Sequence, residues 1–135
     1  MNIPLGNSKE DYKVREEIIS LVYHRWIEEN PNKRVYNRSI KDYINIRYLS
    51  ITETIRHAAK SYNSTLALLQ LDTILRYSIK VGSPKPTKKG IKNQANFIKI
   101  QIMKYHLIGI GLVKMTVGIK KTGEKIQYCI TAIKT

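Results

Sequence analysis

Cysteine is almost absent from this chain of 135 residues, in which Cys129 stands alone. A single cysteine cannot form an intramolecular disulfide, so nothing in the sequence points to an oxidising compartment. No apolar run approaches the ~18 residues of a membrane span. Residues 1–12 also lack the basic and then apolar order of a signal peptide. We therefore expect a soluble, cytoplasmic protein with no membrane partner.

Metal ligands and phosphate-binding loops are scarce as well. The three histidines and the one cysteine show no HxxxH or CxxC spacing, which argues against a zinc site. Residues 79–135 contain one acid, Glu124, whereas a metal-dependent nuclease needs several converging carboxylates. No glycine-rich loop follows a strand, so a nucleotide-binding motif is missing too. The sequence predicts neither a metal nor any other cofactor.

Positive charge, in contrast, is in excess. The chain has 24 Lys and Arg against 10 Asp and Glu, a formal net charge of +14, and twelve of the lysines lie in residues 79–135. Solubility alone does not require so strong a field, so we expect a polyanionic partner, a nucleic acid. Lysine acts as a point charge, which favours contacts to phosphates over base readout. The predicted nucleic-acid-binding residues are Lys85, Lys88, Lys89, Lys92, Lys99 and Arg56.

Apolar spacing divides the chain into a helical first part and a stranded second part. Helical periods predict a helix over 8–29, a second that begins at a Ser50–Glu53 capping box and runs to residue 60, and a third capped by Ser64. After a loop rich in Gly, Pro and Lys, apolar residues alternate with period two. The predicted strands are 43–48, 97–102, 107–119 and 126–133.

This order predicts an α+β fold, with N-terminal helices packed on a C-terminal antiparallel sheet of about four strands. We expect a single domain over 1–135. Its helical N-terminal part is 1–60, and a helix followed by an antiparallel meander forms 64–135. Trp26 and the apolar face of the first helix need a partner surface, so both parts should share one core.

The last hairpin gives the sharpest geometric expectation. A two-residue turn at Thr122-Gly123 sets Met115 opposite Ile130 and Val117 opposite Tyr128, which puts Tyr128 toward the core. The other face then holds three polar side chains, and a turn two residues longer leaves that face unchanged. The predicted polar-face residues are Lys114, Thr116 and Thr131.

His57 is the best candidate for acid–base chemistry. It follows Glu53 by four residues on the second helix, so the carboxylate can orient the imidazole or raise its pKa. Metal-free cleavage of RNA needs an acid–base group near the 2′-hydroxyl and cations around the phosphate. Lys114, with hydroxyls from Thr116 and Thr131, could hold that phosphate. The alternative is an ordinary helix-edge histidine beside a solvated sheet face.

The stretch over residues 57–133 carries a resemblance. From Ser64 the order is a helix (STLALLQLDTILRYS), a loop (SPKPTKKG) and strands that include GLVKMTV and YCITAI. It resembles the small domains of phage and mobile-element polyvalent proteins, which are grouped with the barnase–EndoU–colicin–RelE-like nuclease superfamily. The resemblance implies a metal-independent ribonuclease of a mobile element. The catalytic roles would fall to His57, Lys114, Thr131 and Thr116, with RNA favoured over DNA and a cognate inhibitor protein as a further partner.

Three hypotheses therefore remain open. The first is a metal-independent ribonuclease, which requires His57 to lie near Lys114 and Thr131. The second is a non-catalytic nucleic-acid-binding domain, which needs the basic field without that convergence. The third is an interaction or assembly protein, which predicts dispersed lysines and an exposed apolar patch.

Overall fold

The computed structural model describes residues 2–87 and 96–133, in which four helices and seven strands follow one another. The first part of the chain contains α1 (Lys9–Glu29), β1 (Arg34–Asn37), β2 (Asp42–Asn45), α2 (Tyr48–Ala58), α3 (Tyr62–Leu68) and α4 (Leu71–Tyr77). The second part contains β3 (Ile79–Lys80), β4 (Lys85–Pro86), β5 (Lys99–Leu107), β6 (Gly111–Ile119) and β7 (Lys125–Ala132). The α+β class predicted from the sequence is confirmed.

All seven strands form one sheet in the order β1-β2-β7-β6-β5-β3, and β4 also pairs with β5. The pairs are antiparallel except for β2 and β7, which run parallel where Asn45 lies opposite Ile126. The expectation of about four purely antiparallel strands is therefore wrong. The strands that were not expected, β1, β3 and β4, are two or four residues long. They are too short to show a period and exist because neighbouring strands offer them free edges.

Local capping explains where the helices begin. Ser8 caps α1, and its hydroxyl accepts from the Asp11 amide at 3.0 Å. α2 begins at Tyr48, before the expected start, because the Ser50 hydroxyl accepts from the Arg47 amide. The predicted Ser50–Glu53 capping box is therefore wrong, and the Glu53 side chain is available for other contacts.

The predicted cap at Ser64 is also wrong. Ser61 caps α3, and its hydroxyl accepts from the Ser64 amide at 3.1 Å. Ser64 lies inside the helix and is buried, where its hydroxyl accepts from the Ala132 amide at 2.9 Å. This hydrogen bond fixes the end of β7 against α3. A second short helix, α4, follows a break at residues 69–70.

One face of the sheet packs against α2, α3 and α4, and α1 covers these three helices, so that all four helices contribute to the main core. This core draws on both parts of the chain, and its members include Ile19, Tyr23, Trp26, Ile44, Leu68, Leu75, Met103, Met115 and Ile130. Burial of such aliphatic and aromatic side chains is the dominant stabilising contribution to a fold of this kind. Within the described residues, no helix is long and apolar enough to cross a membrane.

The β6–β7 hairpin contains two register shifts that cancel. Its turn consists of residues 121–123. The Lys120 amide donates to the Glu124 carbonyl across the turn, and the Gly123 amide donates to the Lys120 carbonyl. Gly123 has φ of 91°, the left-handed conformation that such a turn requires. A β-bulge then inserts one extra residue, Tyr128, into β7.

Beyond the bulge the predicted register returns. Lys114 pairs with Thr131, and Thr116 pairs with Cys129. Between the turn and the bulge the prediction is wrong. Gln127, not Tyr128, lies opposite Val117 and is buried in the core.

Candidate functional site

The sheet face opposite the helical core, called the outer face here, carries the predicted polar residues. Adjacent residues of a strand point to opposite faces, so the partners of Lys114 and Thr116 share their side of the sheet. Lys104, Lys114 and Thr131 form one row across β5, β6 and β7. Thr116 lies in the next row, and all four side chains are partly exposed. The structure thus brings Lys114, Thr116 and Thr131 together.

Part of the outer face is closed by a small apolar cluster. Phe97 packs across Gly118, and its ring contacts Tyr128 edge to face with 5.9 Å between centroids. Ile126 completes the buried part of this cluster, and Leu49 and Ile100 pack against it. The open part of the face is therefore the end that holds Lys114 and Thr131.

Helix α2 lies along the β7 edge, beyond the point where β2 ends. Near its start, Arg47 contacts Glu124 at 2.9 Å, and further on the Glu53 carbonyl lies 3.9 Å from Cys129 Sγ. Both elements therefore run in the same direction. The line along which the two elements meet on the outer face is called the α2–β7 groove below.

Glu53 is the central charged group of this groove. Its side chain is only 5% exposed, and its carboxylate lies 3.5 Å from His57 Nε2 and 3.7 Å from an Arg56 nitrogen. The i,i+3 and i,i+4 spacings place both partners on its helix face. His57 is 42% exposed, so its imidazole links a nearly buried carboxylate to solvent. The predicted contact between Glu53 and His57 is present.

The level of His57 relative to the row of polar residues can be predicted from the rise of each element. One helical turn separates Glu53 from His57, an advance of about 6 Å. Two strand residues separate Cys129 from Thr131, an advance of about 6.6 Å. Because the Glu53 carbonyl contacts Cys129 and the two elements run in the same direction, these advances predict that His57 lies near the level of Thr131. Thr131 in turn pairs with Lys114.

The Glu53 carboxylate contributes to raised pKa values of two side chains of β7. Burial, the Glu53 charge and a hydrogen bond with Glu53 raise the pKa of Tyr128. Burial, followed by the Glu53 charge, raises the pKa of Cys129 to about 12, with Lys114 acting in the opposite direction. At neutral pH both groups keep their protons. Tyr128 is a hydrogen donor in this site, and Cys129 is not a thiolate nucleophile.

Sequence reasoning missed Tyr128 as a member of the site. It placed the ring in the core by parity, whereas the bulge turns it to the outer face beside Glu53. One signal was present in the sequence. Lys121-Thr122-Gly123 suits a three-residue turn with glycine at its left-handed position. That turn would set Gln127 opposite Val117. Since Thr116 pairs with Cys129, β7 then has one residue more than β6, and this extra residue is Tyr128.

The structure does not place all the predicted phosphate-binding side chains on one face of the sheet. Arg56 lies at the α2–β7 groove, and Lys85 pairs with Ile100 on the outer face. Lys99 pairs with Ile119 and so belongs to the opposite side of the sheet. The remaining predicted residues, Lys88, Lys89 and Lys92, lie outside the described residues. Lys104, a member of the basic region of the sequence, pairs with Lys114.

Among residues 2–87 and 96–133, no three His, Cys, Asp or Glu side chains form a group that could hold a metal ion. The site therefore consists of Glu53 and His57, the Tyr128 phenol, and the row of Lys and Thr side chains. Comparison of the chain with models of known protein families found no match, and comparisons with curated proteins and with solved structures found none either.

Proposed function

We propose that this protein binds RNA along the outer face and cleaves it in the α2–β7 groove without a metal ion. The observation that supports this most is the contact of His57 with the nearly buried carboxylate of Glu53, on a helix that packs against β7, the strand of Thr131. An imidazole held by a carboxylate, beside an ammonium group, meets the needs of phosphodiester transfer. The charge excess of the chain supplies attraction for the polyanion.

In the proposed reaction, His57 Nε2–H donates to Glu53, which leaves the lone pair on Nδ1. Nδ1 takes the proton of the 2′-hydroxyl, and the 2′-oxygen forms a bond to phosphorus. The bond from phosphorus to the 5′-oxygen breaks, and Tyr128 gives its proton to that leaving oxygen. The products are a 2′,3′-cyclic phosphate and a 5′-hydroxyl.

The other residues act on the phosphate or on His57. Lys114 would offset the charge that builds on the phosphoryl oxygens, and the hydroxyls of Thr116 and Thr131 would donate to those oxygens. Glu53 is a positioning residue, since it sets the orientation and tautomer of His57 and leaves the transferred proton to the imidazole.

A second candidate is RNA binding without cleavage. Arg56, Lys85, Lys104 and Lys114 are distributed over four elements of the outer face. Neighbouring strands lie about 4.8 Å apart, so these cations extend further than one phosphodiester. Such an arrangement suits a strand of several nucleotides and needs no acid–base group.

The test is incubation of end-labelled RNA with the purified protein in EDTA. Wild type should yield 2′,3′-cyclic phosphate ends, and His57→Ala should lower the rate by about 100-fold or more. His24→Ala is the matched control, because His24 is an exposed histidine of α1 bonded to Ser20 and should not matter. DNA of the same sequence lacks the 2′-hydroxyl and should not be cleaved.

Each other result decides between the candidates. Salt-sensitive binding of RNA without cleavage would reject the ribonuclease and favour the binding domain. Equal cleavage by wild type and His57→Ala would exclude the assigned site. Absence of any salt-sensitive binding would exclude both candidates and leave the interaction or assembly protein.

A further inference from the structure

We propose that the β1–β2 hairpin forms a stacking site for an unpaired base of single-stranded RNA, made by Arg34, Tyr36 and Tyr43. The inference rests on the proposed function for the identity of the ligand. It adds the class of RNA and a site away from the α2–β7 groove. These three side chains are called the aromatic platform below.

The aromatic platform is built by strand pairing. Tyr36 and Tyr43 lie directly opposite each other in the antiparallel ladder, and their rings meet edge to face with 5.6 Å between centroids. The Arg34 guanidinium carbon lies 4.2 Å from the centre of the Tyr43 ring. Contacts of this kind hold the rings and the guanidinium in a defined arrangement before any ligand binds.

Both rings remain open to solvent. Tyr36 is 46% exposed and Tyr43 is 42% exposed, whereas Val35 and Ile44 on the other side of the same hairpin are buried. The buried pair is sufficient to attach the hairpin to the core. The exposed pair presents aromatic surface, and nucleobases stack on such surface with little regard for their identity.

Pairing also connects the platform to the outer face. Arg34 lies opposite Asn45, Asn45 lies opposite Ile126 of β7, and Ile126 lies opposite Gly118 of β6. Directly paired residues share a face, so the platform is on the same side of the sheet as Lys114. About three strand spacings, or roughly 14 Å, separate β1 from β6. One RNA strand can therefore reach both.

The charges around the platform favour a polyanion over a neutral or basic protein surface. Lys33, Arg34, Arg38 and Lys41 are all exposed. The one acid of the segment, Asp42, contacts Lys125 Nζ at 2.7 Å. Exposed rings for bases, with cations beside them for phosphates, are the combination found in single-strand binding. Duplex RNA keeps its bases stacked inside and cannot use the rings.

The test compares binding of single-stranded and duplex RNA by fluorescence anisotropy. The double variant Tyr36→Leu/Tyr43→Leu keeps apolar side chains but removes the rings, and should weaken single-strand binding by about 5- to 150-fold. Its affinity for duplex RNA and its salt slope should stay as in wild type, because every cation that faces a phosphate is retained. Tyr77→Leu, which removes an exposed ring of α4, is the matched control.

Two further variants separate stacking from folding. Tyr43→Trp should bind single-stranded RNA at least as tightly as wild type, and Tyr36→Phe/Tyr43→Phe should bind equally well. Lys104→Ala/Lys114→Ala should instead lower the magnitude of the salt slope by about 0.7 for each phosphate that is no longer neutralised. Weaker binding by the Trp or Phe variants would contradict the proposal even if the Leu variant fails to fold.

Failure of the aromatic platform can be distinguished from failure of the proposed function. If wild type binds single-stranded RNA and the Leu variant binds it equally, the platform is wrong and the proposed function stands. If wild type binds no RNA, both are overturned. If wild type is a dimer that the Leu variant turns into a monomer, the platform is an interface between copies of this chain and the inference is wrong.

Discussion

Three buried polar side chains connect α1, α2 and β7. The Tyr23 hydroxyl lies 2.6 Å from Gln127 Oε1 and 3.1 Å from Thr54 Oγ1, and Gln127 Nε2 donates to Thr54 at 3.0 Å. Burial is also the main reason why the pKa of Tyr23 is raised. Every member of this network depends on the others, because an unmatched polar group in the core is costly.

Tyr23→Phe removes one hydroxyl from this network and leaves Gln127 and Thr54 with an unmatched polar atom. We expect the free energy of unfolding to fall by about 1–3 kcal/mol, measured by urea denaturation. Tyr77→Phe, at an exposed position, should change it by less than about 0.5 kcal/mol. Equal values for the two variants would mean that the network adds nothing to stability.

The thiol of Cys129 predicts a loss of stability in alkali. Folding raises its pKa from 9.0 to about 12, so above pH 9 the unfolded chain releases a proton that the folded chain keeps. The free energy of unfolding then falls with rising pH, at most by about 1.4 kcal/mol per pH unit for one group.

The free energy of unfolding of the wild type, relative to that of Cys129→Ala, should therefore decrease as the pH rises from 9 toward 12. The measurement is urea denaturation of both proteins at a series of pH values. If the difference in stability between the wild type and Cys129→Ala does not depend on pH, the thiol has the same pKa in the folded and the unfolded state.

At the level of secondary structure, β6 depends on a residue without a side chain. A Cβ at Gly118 would lie 2.5 Å from the Phe97 ring, closer than real contacts allow. Gly118→Ala should cost about 1–3 kcal/mol, because Phe97 is itself buried and has to move. The same substitution in a Phe97→Ala background should cost much less. If the two substitutions have additive effects on stability, the contact of the new Cβ with the Phe97 ring is not the source of the strain.

The elements that the sequence predicts well are those whose signal is local. The Ser8 cap and the period of α1 identify one long helix. A period of two indicates β5, β6 and β7, but the predicted strand 97–102 ends before β5 does, and the predicted strand 107–119 includes the turn before β6. The short strands β1, β3 and β4 escape prediction because pairing partners, not their own residues, define them. α2 begins before the expected position because Ser50 acts from the third position of the helix, and α3 begins early because Ser61, not Ser64, caps it.

The candidate site was predictable in part for a similar reason. Lys114 and Thr131 share the outer face because the long turn and the bulge cancel beyond Tyr128. Contact between Glu53 and His57 follows from helical spacing alone. The place of Tyr128 depends on a bulge in β7, the strand against which α2 packs. Such packing is a property of the tertiary structure.

For the whole molecule, a net charge of +14 makes the folded state repel itself. We expect the melting temperature to rise by about 2–4 °C between about 50 and 200 mM NaCl, because salt screens like charges. Differential scanning calorimetry would measure the shift. Lys104→Gln/Lys114→Gln should reduce it, and an unchanged or lower melting temperature at high salt would argue against net repulsion.

The position of α2 beside β7 also has a consequence for biosynthesis. Glu53 and His57 emerge from the ribosome long before Tyr128 and Thr131, which lie more than 70 residues later. The groove closes only when the final strand enters the sheet, so an incomplete nascent chain carries an imidazole and a carboxylate without the surface that would receive a phosphate. Translation itself thereby delays the maturation of the groove until β7 has been made.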